Sequence, residues 1–164
     1  MSVAFTKEED YESAAADLPD RPISSQPNLV TPVGLAQLDL ALAAARAAYS
    51  AAQTGGDVQA DRTAMARATR DLRYYAARRA SAQVVEAQMA TGRVVFGGSV
   101  TFDREDGRTQ TFRIVGEDEA DPAKGAVSYA SPLARALLGK AVGDVAMVAG
   151  GEVEVIDVED PGPT

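Results

Sequence analysis

Asp57 and Asp61 stand four residues apart, directly after a glycine pair, in the stretch TGGDVQADRTA at residues 54–64. Helix positions three and four apart share a face, so two carboxylates at this spacing can act on one target. The chemistry open to them is oxygen ligation of a hard cation, which makes bound water easier to deprotonate. A plainer role rests on the same residues: an aspartate after glycine caps a helix, and acids in a first turn complement the helix dipole. Capping and metal-directed chemistry therefore stand side by side. The chain's 164 residues include no cysteine and no histidine. That excludes disulfides, thiolate or imidazole zinc sites, and Ser-His-Asp or Cys-His catalysis, so any metal must be held by oxygen.

The element that must position the pair is a helical hairpin. Thr31-Pro32 reads as a helix start, with a threonine cap and proline at the first helical position. Leu35, Leu38, Leu42, Ala45, Tyr49 and Ala52 follow at alternating steps of three and four, a narrow seam suited to one partner helix. Gly55-Gly56 ends that run. Met65, Ala68, Leu72, Tyr75 and Ala82 repeat the stagger, with Ala76, Ala80 and Val84 as a second apolar line. No other helix breaker falls before about Gln88, so two antiparallel helices are expected with the tip near 54–61. Arg62, Arg67, Arg70 and Arg73 lie outside the seam, as a cationic flank facing RNA or acidic protein, or as an ordinary solvated face.

Beyond residue 91 the pattern changes to short β-branched and aromatic runs. RVVFGGSVTF and TQTFRIVG flank the charged Asp-Gly turn DREDGR, AVSYA gives a short strand, and DVAMVAGGEVEVIDV gives two strands around Gly-Gly. SPLARALLG reads as a short helix with a serine cap, N1 proline and terminal glycine. The glycines of FGGS sit inside a strand pattern without a following Lys-Ser/Thr, which favours a bulge or close approach over a phosphate loop. Phe96, Phe102, Phe112, Ile114, Leu133, Leu137 and Leu138 are the expected core. The fold class is thus α+β: residues 31–90 an antiparallel coiled-coil hairpin, residues 91–160 an antiparallel sheet domain with one short helix. Residues 1–30, acidic and carrying Pro19, Pro22 and Pro27, are expected to be a disordered or loosely docked arm.

Charge is uneven within the net −8. Residues 1–30 carry two basic against six acidic groups, residues 31–90 seven against five, and residues 91–164 seven against thirteen. The acidic total argues against free duplex DNA as partner, because such binding is dominated by phosphate neutralisation. The start has no basic region followed by an apolar core, and no apolar run reaches the ~20 residues of a membrane span. A cytoplasmic, monomeric protein without a membrane partner is expected.

The run VVFGGSVTF through FRIVGEDEADPAKGAVSYASPLARALLGKAVGD, residues 94–144, closely resembles the C-terminal domain of bacterial Gre transcription elongation factors. NLVTPVGLAQL resembles the start of that family's coiled coil, and Gly56-Asp57 falls where the family places a Gly-Asp. The resemblance covers about residues 28–158. It implies an FKBP-like C-terminal domain docked on the rim of the RNA polymerase secondary channel, with a hairpin inserted down it. The docking residues it points to are Glu117, Asp118, Glu119, Asp121 and Pro122, with Ser131 and Pro132. It further implies that an Asp and a Glu at the tip help polymerase hold a second magnesium ion, so that polymerase cleaves the backtracked RNA 3′ end.

The protein would then be no enzyme and hold no cofactor of its own; Asp57 and Asp61 would be the donated carboxylates and magnesium would bind only in the complex. This chain departs from the family tip, approximately Gly-Asp-x-x-Glu-Asn-x-Glu-Tyr, in having Ala60 at the second acid and Asp61 one residue later. Its first helix is also shorter by two or three turns, more than about 10 Å of reach. The functional expectation is modulation of elongation through the secondary channel, with cleavage stimulation, channel-occupying inhibition, and regulation of a non-polymerase enzyme by an adaptor of the same architecture as its three forms. An FKBP-like shape carries no expectation of prolyl isomerase activity.

Overall fold

The computed structural model describes residues 18–55, 58–88 and 91–162, without the side chains of residues 58–61. The chain divides into two compact units, one formed by Met1–Ser25 with Leu38–Ser81 and the other by Gln26–Gln37 with Ala82–Thr164. Strand β1 (Leu29–Val30) leads into helix α1 (Pro32–Gln53), which is followed by α2 (Val58–Ser81) and β2 (Gln83–Val84). Then come β3 (Ser99–Arg104), β4 (Thr109–Val115), a 3-10 turn (Pro122–Lys124) and β5 (Ala126–Ser128). Helix α3 (Pro132–Leu137), β6 (Val145–Val148) and β7 (Gly151–Glu159) complete the order. No helix among the described residues is long and apolar enough to cross a membrane.

In the first unit the seam is narrow. Leu38, Leu42 and Ala45 of α1 and Ala68 of α2 are buried, while Leu40, one step off the stripe, is 73% exposed. Tyr49, Ala52, Met65, Leu72 and Tyr75 are half-buried along the same stagger. The antiparallel arrangement is fixed across its open end by Arg79 of α2, whose guanidinium reaches Asp39 of α1 at 2.5 Å. At the other end Thr54 turns its hydroxyl back onto the carbonyls of Ser50 and Ala51, satisfying acceptors that the last helical turn leaves open.

The second apolar line does not pack as a core: Ala76, Ala80 and Val84 are exposed, and Arg78 is buried instead. The helix expected to reach Gln88 also stops at Ser81. Gln83 and Val84 pair in parallel with Leu29 and Val30, and the amides of Gln83 and Val85 donate to the carbonyls of Asn28 and Val30 at 2.8 and 2.9 Å. Val84-Val85 has β-branched stiffness that disfavours helix, and the waiting strand tips the balance. Residues 29–30, expected to belong to the arm, are thereby a strand of the second unit.

The second unit is built on a five-stranded sheet in the order β5-β4-β3-β7-β6. β3 pairs antiparallel with β4 through the Asp-Gly turn and with β7 on its other side, and β6 and β7 form a hairpin. One pair departs from the expected antiparallel sheet, since β4 and β5 run parallel, the chain returning through the 3-10 turn. Alternation along β3 and β7 turns Val100, Phe102, Val153 and Val155 inward, where they meet Ile114, Val127, Ala134 and Leu137. Phe96, Phe112, Leu133 and Leu138 pack at the margin of that core. The close approach read from FGGS is present: a Cβ on Gly98 would lie 2.7 Å from the Glu159 carbonyl.

Candidate functional site

Two regions carry the residues singled out from the sequence, one in each unit. At the hairpin tip, Asp57 lies outside the described residues. Asp61 occupies the first turn of α2, and its side chain likewise lies outside them. The carboxylate pair is therefore known by backbone position alone. Among the described residues no group of three or more carboxylates converges on a point suited to a metal ion.

Behind the tip, the arginines of α2 are not equivalent. Arg62, Arg67 and Arg73 are exposed and Arg70 is half-buried. Arg70 turns to Asp71 at 3.2 Å, and Arg73 meets Asp20 at 3.3 Å. Arg62, Arg70 and Arg73 line one groove of about 830 Å³ together with Met65, Ala66 and Thr69. The helical spacing that made them a flank in the sequence puts three of the four on a common wall.

The acidic loop after β4 is held by the beginning of α1, within the same unit. Thr31, buried at 3% exposure, accepts the Gly34 amide at 2.9 Å as the helix cap. Its hydroxyl proton goes to Glu119 at 2.6 Å, and Arg113 stands 3.9 Å from the other carboxylate oxygen. Glu119 thus differs from its neighbours in the loop: its side chain is only 8% exposed and its carboxylate is engaged by the cap. A buried carboxylate requires such partners. Gly116 permits the approach, because a Cβ there would sit 2.3 Å from the Leu29 carbonyl.

The remaining loop residues point to a surface. Glu117, Asp118 and Asp121 are half-buried and Pro122 is exposed. Asp121 pairs with Lys124 at 3.7 Å, while its backbone exchanges hydrogen bonds with Ala126 that fix the loop's exit. Ser131 caps α3 by accepting the Ala134 amide at 3.2 Å, and Pro132 follows it exposed. Tyr129, between the loop and α3, donates its hydroxyl proton to the Pro27 carbonyl, a tie that sequence spacing gives no means of finding. Nor does periodicity reveal Arg21, whose guanidinium lies 3.8 Å from the centroid of the Tyr74 ring.

Comparison with known proteins places these residues among relatives. The family described as transcription elongation factor, GreA/GreB, C-terminal, matches residues 89–160, which contain both the acidic loop and α3. Transcription elongation factor GreA of Alkalilimnicola ehrlichii is 49% identical over 84 residues, covering 48% of this chain and 53% of that protein. GreB of Neisseria meningitidis serogroup B is 37% identical over 110 residues, 63% of this chain and 68% of that protein. The chain spans about half the length of the first curated relatives it matches. Among solved structures, GreA/GreB from Nitrosomonas europaea aligns at 20% identity over 82% of this chain and 99% of that one, with a TM-score of 0.38. GreA factor homolog 1 of Thermus thermophilus aligns at 22% identity over the same shares, with a TM-score of 0.37.

Proposed function

Because the chain belongs to the GreA/GreB family of transcription elongation factors, we propose that it binds RNA polymerase and modulates elongation through the secondary channel. The observation that carries this reading is the family match over residues 89–160. Glu117, Asp118, Asp121 and Pro122 of the acidic loop, with Ser131 and Pro132 at the start of α3, form the docking surface. Loops on a rigid scaffold are suited to such work, and here the scaffold is the sheet below and the capped start of α1 beside it. Glu119 keeps the loop in place and does not touch the partner.

The hairpin enters or covers the channel and the protein contributes no complete active site. Asp57 and Asp61 supply oxygen ligands toward a magnesium ion that polymerase holds, whose chemistry is to ease deprotonation of bound water. The nascent RNA 3′ end is met only there. Co-purification with core RNA polymerase is the first test, followed by a cleavage assay on backtracked complexes. Magnesium-dependent stimulation that disappears in an Asp57→Ala/Asp61→Ala variant is expected; no stimulation above polymerase alone defeats the cleavage form.

A second form is favoured by Ala60, which removes a carboxylate from the position where the family tip carries one. In that form the hairpin occupies the channel without donating ligands, and it slows nucleotide addition or displaces a cleavage factor. Binding to polymerase with neither effect excludes it. If no polymerase subunit is retained and another enzyme is, the adaptor form replaces both.

A further inference from the structure

Residues 18–25 belong to the same compact unit as the hairpin and lie against α2. Pro19 and Pro22 fix their own φ and push the residues before them away from helical conformation, so this stretch stays extended. Arg21 anchors it. Its guanidinium stands 3.8 Å from the centroid of the Tyr74 ring and 5.1 Å from that of Tyr75. The two rings meet edge to face at 5.2 Å, and Asp71 lies 3.6 Å from the same guanidinium. A hydrogen bond with Tyr75 is the largest of the influences raising the Arg21 pKa above its ordinary value. One residue earlier, Asp20 accepts from Arg73 at 3.3 Å. Leu18 and Asp20 then complete the wall of the groove that Arg62, Arg70 and Arg73 line.

We propose that residues 18–25 are a strap along one wall of this arginine groove, which must lift before a single-stranded RNA can reach Arg73. The Asp20 carboxylate takes from Arg73 an N–H that a phosphate would otherwise receive. Among the described residues the groove is lined mainly by arginine and small or aliphatic side chains, which hold RNA by charge. The strap's attachment suits a reversible cover. Asp20 and Arg73 keep side-chain exposures of 65% and 67%, and exposed pairs of this kind hold weakly. The stacked Arg21 is a firmer point, because a planar guanidinium over an aromatic face is attracted by the ring's quadrupole.

The test is the binding of a labelled single-stranded oligouridylate RNA to the full chain by fluorescence anisotropy at low salt. Arg21→Ala removes a cation, so bulk electrostatics alone weakens binding to RNA. Opening of the strap predicts the opposite sign. Since apparent affinity scales with the fraction of open molecules, a tightening of about three- to ten-fold is expected. Arg21→Lys and Tyr74→Leu leave the net charge unchanged and are expected to tighten binding as well; they carry the test if circular dichroism shows that Arg21→Ala does not fold. Unchanged or weaker RNA binding in the folded variants overturns the strap. Tightening toward polyglutamate without tightening toward RNA overturns RNA as the occupant. No polymerase enters the measurement, so its outcome is separable from that of the docking reading.

Discussion

Single residues in the second unit have sharply different tolerances. Gly116 is set by contact and not by backbone angle: its missing Cβ leaves room for the Leu29 carbonyl, which a Cβ would approach to 2.3 Å. Gly116→Ala is expected to destabilise by about 2 kcal/mol, the usual scale for forcing an atom into a packed site, as read by urea denaturation of the full chain. A loss no larger than that of an exposed substitution would contradict the contact. Asp106 shows a milder effect in an open turn. The Arg108 amide, donating at 3.0 Å, and then its guanidinium, at 2.7 Å, hold the carboxyl below its ordinary pKa. A depressed folded-state pKa stabilises the turn above the unfolded value and loses that contribution as pH falls through the folded one. The Asp106 NMR titration midpoint is expected below the ordinary aspartate value. Arg108→Ala should restore it only in part, because the larger cause is a backbone amide that survives the substitution.

Elements depend on which face they bury. Along α1, Leu42 is 7% exposed and Leu40 is 73% exposed. Leu42→Ala is therefore expected to cost about 2–4 kcal/mol, and Leu40→Ala to remain within about 0.5 kcal/mol of wild type. Comparable losses at both positions would mean that the seam is not the one described. The short helix α3 illustrates a different dependence. Its six residues cannot sustain a helix by propensity, so the Ser131 cap and the burial of Ala134 and Leu137 hold it. Through them it holds Pro132 exposed at its first position.

At the scale of the molecule the two units differ in what stabilises them. The sheet unit encloses a contiguous core that includes Phe102, Ile114, Leu137 and Val155 at 1% exposure or less. Among the described residues the hairpin unit buries a stripe of leucine and alanine, with Arg78 buried beside it. Regions with fewer buried apolar contacts open at lower free energy. Amides of residues 38–53 and 58–81 are thus expected to exchange with deuterium faster than those of β3, β4 and β7, in native-state hydrogen exchange resolved by residue. Equal protection throughout would mean that the chain opens as one cooperative body.

Much of this organisation was legible in the amino-acid sequence, and for local reasons. The Thr31-Pro32 and Ser131-Pro132 caps, the apolar stagger of the hairpin, the Asp-Gly turn between β3 and β4, and the core positions Phe102, Ile114 and Leu137 all follow from patterns within a few residues of one another. The acidic loop and α3 were likewise marked as a candidate surface by a contiguous motif. What only the tertiary structure decided are pairings across long stretches of chain. Residues 29–30 become a strand because 83–84 meet them, Glu119 turns inward because Thr31 offers a hydroxyl 88 positions away, and Arg21 finds Tyr74 across α2. Periodicity records which face of an element is apolar, but it carries no information on which distant backbone or side chain will satisfy a polar group. That choice is made by proximity in the folded chain, where a carboxylate withdrawn from water must have partners at hydrogen-bonding distance.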